Sequence, residues 1–169
     1  MESDAPRSYS CLMLDLSFLQ KEVRKIQEKI CPCEVYDLEK GHGLENAAHC
    51  TILYGIHEEV PSKVLPLLDL KPVKLRISGM SLFENEKYDV LKFDVKSADL
   101  NALNKKCRKL LEYTSSYPDY HAHITVGYIM PGAGRKYTRL GKALIGKEFT
   151  ARRYIFSSPN SDKVFYDAK

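Results

Sequence analysis

Two stretches decide how this chain is read: His49-Cys50-Thr51-Ile52-Leu53-Tyr54-Gly55-Ile56 (HCTILYGI) and Tyr120-His121-Ala122-His123-Ile124-Thr125-Val126-Gly127-Tyr128-Ile129 (YHAHITVGYI). Both are apolar, β-branched and aromatic, the composition of a strand. Each carries a His-x-Thr followed by an apolar residue, Ile52 or Val126, and a tyrosine five places after the histidine, Tyr54 or Tyr128. On a strand, residues two apart point to the same face, so His49 stands beside Thr51 and His123 beside Thr125. Each stretch is preceded by a strand-like and then a helix-like segment, a weak internal repeat of the kind a duplicated lobe leaves.

Working outward, Ser8 to Leu16 is apolar and reads as a buried strand. Phe18, Leu19, Val23, Ile26 and Ile30 recur at helical spacing, with Ser17 placed as N-cap and Pro32 as terminator. Cys33 to Leu38 reads as a short strand, and Glu39 to Ala48, with Gly41 and Gly43, as a loop. Pro61 to Leu70 is a short helix that starts on proline, with Pro72 beyond its end. Strands follow over Val73 to Phe83 and Tyr88 to Val95, the second alternating Val90, Lys92, Asp94 against Leu91, Phe93, Val95. Ser97 caps a helix whose stripe is Leu100, Leu103, Cys107, Leu110 and Leu111. Beyond the second motif, Pro131 to Gly146 is a Gly- and Lys/Arg-rich connection, and strands are expected near Phe149 to Phe156 and Lys163 to Tyr166. No linker or composition break divides residues 1–169, so one domain is expected.

The paired motifs suggest phosphodiester chemistry. Two His-x-Thr strands at the centre of a two-lobed sheet would gather four polar side chains around a volume suited to a phosphate. The threonine hydroxyls would donate to nonbridging oxygens. One neutral imidazole would take a proton from the attacking oxygen and a protonated one would give a proton to the leaving oxygen. The chemistry calls for no metal and no cofactor. His121 competes with His123, since His121-x-His123 also shares a face, but a metal site would need a third ligand and none stands out. His42 and His57 fall in or beside loops.

Composition bounds the answer. Apolar residues make up 44% of the chain and charged residues 28%, a globular composition rather than a disordered one. No apolar run is long enough to span a bilayer, and Met1 to Arg7 lacks the order of a signal peptide, so a soluble, cytoplasmic protein is expected. The net charge of +4 suits a short anionic ligand better than a duplex. Five cysteines, among them Cys31-Pro32-Cys33, have no zinc-site spacing and are expected as separate reduced thiols.

The motifs His49-Cys50-Thr51 and His123-Ile124-Thr125 closely resemble those of the 2H phosphoesterase superfamily, whose signature is one histidine-any-threonine/serine motif on a strand of each lobe. That resemblance implies an α+β, bilobal, pseudo-symmetric fold of antiparallel sheets around a central cleft, helices outside, with His49, Thr51, His123 and Thr125 catalytic. Three flanking stretches resemble one branch, the bacteriophage anti-CBASS nucleases: Gly43-Leu44-Glu45-Asn46, YPDYHAHITVGYIMPGAGRKY around the second motif, and Phe156-Ser157-Ser158-Pro159-Asn160. The branch implies cleavage of cyclic di- or trinucleotide immune signals to linear products in the cytoplasm of an infected bacterium. Such a ligand calls for aromatic platforms and modest positive charge. Tyr9, Tyr117, Tyr120 and Tyr137 are the candidate stacking residues, Lys136 and Arg135 the candidate phosphate contacts, and Glu148 a candidate acceptor for an exocyclic amine.

Three rivals stand beside this reading. One is an RNA-end 2′,3′-cyclic phosphodiesterase of the 2′-5′ RNA ligase kind. Another is a non-catalytic protein that binds cyclic nucleotides, and the last a structural protein with coincidental motifs. Which histidine is base and which acid stays open, as does the choice between a ribose hydroxyl and water as nucleophile.

Overall fold

The computed structural model describes residues 9–36, 43–160 and 162–169. Strand β1 (Ser10–Asp15) leads through a 3₁₀ turn (Ser17–Leu19) and α1 (Gln20–Gln27) to β2 (His49–Ile56). After α2 (Pro61–Leu68) come β3 (Val73–Glu84), β4 (Asp89–Lys96), α3 (Ala98–Leu110) and β5 (His123–Ile129). A 3₁₀ turn (Arg135–Arg139) then precedes β6 (Glu148–Ala151), β7 (Arg153–Ser157) and β8 (Lys163–Asp167). These form two four-stranded antiparallel sheets, β2-β1-β7-β8 and β5-β4-β3-β6. The α+β, two-lobed, pseudo-symmetric architecture expected from the sequence is the one found. Each motif strand lies at the edge of its own sheet, beside the strand that starts its repeat.

Local chemistry explains most element ends. Ser97 caps α3 by accepting from the Leu100 amide at 3.0 Å, Asp99 sits in its first turn and Arg108 and Lys109 in its last, as the helix dipole favours. Ser17 is not the cap expected of it. The Asp15 carboxylate instead accepts from the Ser17 amide and hydroxyl at 3.2 and 3.0 Å. That turn diverts three residues into a 3₁₀ turn before α1 begins. The expected strand after Pro32 is a 3₁₀ turn (Pro32–Glu34) followed by one bridge, Val35 to Ile129. Residues 37 and 38 of that expectation, with 39–42 of the expected loop and the start of the first strand at Ser8, lie outside the described residues. Cys31 and Cys33 also differ from expectation. Pro32 turns the chain so that they are joined as a disulfide, while Cys11, Cys50 and Cys107 are buried thiols.

The expected strand from Phe149 to Phe156 divides at Arg152. Its first half pairs with β3 and its second with β1, so the chain changes sheets there. The last two strands thus return to complete the lobe that β1 and β2 began.

One main core joins both lobes. It takes Leu12, Leu14, Cys50 and Ile52 from the first sheet, Leu91, Phe93, Ile124 and Val126 from the second, and Val23, Ile26, Val64, Leu100 and Cys107 from the helices. The opposite face of the first sheet holds a separate small cluster of Cys11, Met13 and Ile155 with Tyr54 packed against it. No described helix is long and apolar enough to cross a membrane.

Candidate active site

The two motif strands carry the same burial rhythm. In β2, His49, Thr51 and Tyr54 are half-buried and Cys50, Ile52 and Leu53 buried; in β5, His123, Thr125 and Tyr128 are half-buried and Ile124, Val126 and Gly127 buried. A tyrosine five places beyond a histidine should fall on the opposite face of a regular strand. Register explains why it does not. Leu12 and Met13 oppose Leu53 and Thr51, leaving Ile52 over; Leu91 and Lys92 oppose Gly127 and Thr125, leaving Val126 over. Each motif strand therefore bulges at the residue after its threonine, which returns the tyrosine to the histidine's face.

A bulge strands a carbonyl, and each lobe satisfies the other's. Asn104 Nδ2, on α3, donates to the Ile52 carbonyl at 2.7 Å. Gln27 Nε2, on α1, donates to the Val126 carbonyl at 3.0 Å. Both amides are buried, so each bond offsets a desolvation cost, and Gln27 Nε2 donates also to the Glu45 carbonyl at 2.7 Å. Main-chain bonds repeat the exchange. The Thr114 amide donates to Gly55 O and the His57 amide to Glu112 O, while Glu45 N donates to Val126 O and Tyr128 N to Gly43 O. Gly55, at φ +89°, lies so close to the Thr114 carbonyl that a Cβ there would sit 1.9 Å from its oxygen. Tyr120 adds a further tie, its hydroxyl donating to Thr51 O at 2.8 Å.

The histidines are oriented alike. His49 Nδ1 lies 2.9 Å from Ala47 O, and His123 Nδ1 lies 2.8 Å from His121 O. Donation from Nδ1 to the carbonyl two residues earlier leaves Nε2 of each ring available as a proton acceptor. His121 thus serves through its main chain, and its side chain is exposed. Burial pulls the His123 pKa below the ordinary imidazole value, and repulsion from Lys92 and His49 adds to this against the bond to His121 O. Cys50, between the motif residues of β2, is wholly buried, and burial pushes its thiol up to about 11, so it stays protonated and unreactive.

Directly opposite residues share a face. His49 faces Asp15, Thr51 faces Met13, and Tyr54 faces Cys11. In the second lobe, His123 faces Asp94, Thr125 faces Lys92, and Tyr128 faces Val90. Lys92 is 5% exposed. Its ammonium donates to Ser81 Oγ at 2.7 Å and Asp94 Oδ1 at 2.5 Å and lies 4.2 Å from the Phe83 ring centre. Phe83 in turn meets the His123 ring edge-on at 5.2 Å. The sequence pattern had put Lys92 and Asp94 on one face of a strand; that this face carries His123 depends on a pairing no local pattern shows.

The other expected contacts are more scattered. Tyr9 stacks on His57 at 4.4 Å, at the end of β2 away from His49. Tyr117 is exposed on the loop after α3, where Arg108 holds its carbonyl and that of Pro118. Tyr120 spends its hydroxyl on Thr51 O. Tyr137 is buried, donating to Glu34 Oε1 at 2.6 Å and accepting from the Cys31 amide at 3.1 Å. Lys136 is paired with the same Glu34 at 2.6 Å, and Arg135 with Glu84 at 3.3 Å. Glu148 is exposed on β6, the strand of the second sheet farthest from β5. For Tyr137 and Lys136 these are packing and pairing positions rather than places beside the motifs. Two surface hollows, one bounded by His57, Leu67 and Leu110 and the other by Glu34, Arg135 and Lys136, include none of the four motif side chains. Among the described residues, no three His, Cys, Asp or Glu side chains gather as metal ligands.

Neither a protein-family model nor a curated protein matches the sequence. The fold is similar to that of Usb1 from Kluyveromyces marxianus, at TM-score 0.57 and 12% identity over 96% of this chain and 99% of that one. It is similar also to the Kluyveromyces marxianus Usb1 structure with uridine monophosphate, at TM-score 0.55 and 11% identity over the same shares. At such identity the likeness establishes a shared architecture across nearly the whole chain.

Proposed function

We propose that this chain is a phosphodiesterase of the 2H type that acts on ribonucleotide phosphodiester bonds, with His49 and His123 as acid and base and Thr51 and Thr125 holding the phosphate. The observation that carries the proposal is the matched pair of imidazoles. Each stands beside a threonine on a bulged edge strand, and each has its Nδ1 committed to a main-chain carbonyl. Two such groups supply both proton transfers, and two hydroxyls hold the oxyanion. No step calls for a metal or cofactor.

Of the substrate classes, a single-stranded RNA end has the support of fold, since a protein of this architecture has been solved with uridine monophosphate. A cyclic di- or trinucleotide signal is the second reading, resting on the flanking stretches Gly43-Leu44-Glu45-Asn46, YPDYHAHITVGYIMPGAGRKY and Phe156-Ser157-Ser158-Pro159-Asn160. A 3′-5′ bond, in a ring or at the last link of an RNA, places a 2′-hydroxyl next to the scissile phosphate, where tethering favours its attack; a 2′,3′-cyclic phosphate end has none and would be opened by water. A short ribonucleotide partner and a cytoplasmic setting go with the proposal.

The test is incubation of the purified protein in chelator with short RNAs and with a panel of cyclic di- and trinucleotides, products being analysed by mass. Linear products from rings alone would select the cyclic reading, and shortened RNA alone the RNA-end reading. Binding without turnover under excess substrate would leave a nucleotide-binding protein and refute the enzymatic proposal.

A further inference from the structure

The first sheet has two edges. β2 forms one and carries a motif; β8 forms the other. β8 pairs with β7 along its whole length without a bulge. Beyond its ends, Ser158 N donates to Asp162 O at 2.9 Å and Ala168 N to Arg152 O at 2.7 Å. Antiparallel ladders alternate, so Val164 and Tyr166 turn their main-chain groups to β7, while Lys163, Phe165 and Asp167 turn theirs outward. Among the described residues no strand or loop pairs with that outer side. Val164 is 44% exposed and Phe165 56%. An open edge this regular and apolar, with neither proline nor bulge, is a template for another strand.

We propose that β8 pairs with β8 of a second copy of this chain, antiparallel about Phe165, so that two four-stranded sheets become one continuous sheet. The strand Lys163-Val164-Phe165-Tyr166-Asp167 is self-complementary in that register. Phe165 lies opposite the partner's Phe165, Val164 opposite the partner's Tyr166, and Lys163 opposite the partner's Asp167. The outward groups then meet their counterparts and form about six main-chain hydrogen bonds. Unlike charges face each other at both ends. Asp167 already accepts from Arg153 Nε at 3.0 Å, and a carboxylate has room for a second cation. Sliding the copies by two residues sets Phe165 against a charged residue and loses both ion pairs. Centring the pair on Lys163 or on Asp167 sets like charges together. Charge therefore selects one register. A two-fold contact closes on itself, so assembly stops at two chains.

The pairing leaves the motifs open. Opposite residues share a face, so Thr51, Met13, Ile155 and Phe165 form one row across the first sheet. The two Phe165 rings meet on that face. On the other face Val164 meets the partner's Tyr166, beside the main core against which Tyr166 packs. At the usual strand spacing the two β2 strands stand roughly 34 Å apart, so neither copy covers the other's His49 or Thr51.

Sedimentation equilibrium of the purified chain over a wide range of concentration tests the pairing. The parent should show a monomer–dimer equilibrium that dissociates on dilution, because so short a strand contact is small. Phe165→Pro removes one outward N–H and leaves the ladder to β7 intact, so it should be monomeric with an unchanged far-UV CD spectrum. Lys163→Asp and Asp167→Lys each set like charges opposite one another and should each weaken the dimer by roughly tenfold or more. Mixed one to one, these two variants should recover it, since each then meets its opposite charges. That mixing needs no proline variant to fold. A parent that stays monomeric at every concentration overturns the proposal and leaves the edge to a strand of some other protein. Growth beyond two chains overturns the two-fold pairing. So does a dimer that survives Phe165→Pro, or charge variants that dimerise like the parent or fail to recover on mixing.

Discussion

The first lobe sets His49, Thr51 and Tyr54 over Asp15, Met13 and Cys11; the second sets His123, Thr125 and Tyr128 over Asp94, Lys92 and Val90. The scaffolds agree in strand order, in the bulge after threonine, in the carbonyl that orients each ring and in the amide borrowed from the other lobe's helix. They disagree in charge. Duplication supplies two equivalent imidazoles, and acid–base catalysis needs two inequivalent ones. What the comparison teaches is where asymmetry enters: the duplicated geometry is kept in both lobes, while Lys92 against Met13 sets a charge across from one threonine and none across from the other.

The largest effects should come from the groups that repeat. His49→Ala and His123→Ala are each expected to lower turnover of a ribonucleotide phosphodiester about 10²- to 10⁴-fold. His121→Ala should stay near the parent rate, since His123 uses the His121 carbonyl and the substitution keeps it. Steady-state rates on one substrate check all three, and a His121 loss as large as that of His123 would mean the wrong ring has been assigned to the second lobe.

Threonine comes next. A hydrogen bond to a charged group contributes about 1.5–3 kcal/mol, so losing one costs roughly 10- to 100-fold in rate. Thr51→Ala and Thr125→Ala should each lose about that much in kcat/KM, less than either histidine variant, because the proton chemistry remains. A loss as large as that of a histidine variant would show that the hydroxyl does more than hold the phosphate.

The smallest effects should fall on stability. Gln27→Ala and Asn104→Ala each leave a buried bulge carbonyl short of a donor and should cost about 1–3 kcal/mol in urea unfolding. The loss of activity should cross between lobes, Asn104→Ala disturbing the first motif although it belongs to the second. Variants of full stability would show that these bonds are not what fixes the bulges.

Much of this was legible before any coordinates. His49–Ile56 was readable as a strand to the residue because its apolar, β-branched run is bounded by polar turns, and Ser97 announced α3 through its cap. The four motif side chains were readable because His-x-Thr on a strand is a local pattern. The expected strand from Tyr120 starts only at His123, since Tyr120 is drawn away to Thr51 O across the lobes. The bulges at Ile52 and Val126, the exchange of Gln27 and Asn104, and the burial of Lys92 all depend on which strand lies beside which. Composition and spacing carry no record of register, and strand alternation alone would put Tyr54 and Tyr128 on the face opposite their histidines. The same limit explains Tyr137 and Lys136, whose shared partner Glu34 is about a hundred residues away in sequence.

The central claim is that one neutral and one protonated imidazole share the work without a metal. Its most direct test is kcat/KM against pH on a ribonucleotide phosphodiester in excess chelator. The account predicts a bell, both limbs within about two units of the ordinary imidazole pKa of roughly 6.5. Burial lowers the pKa of His123, so one limb should lie below that value. A rate that climbs steadily to pH 10, or one abolished by chelator and restored by a divalent ion, would contradict it.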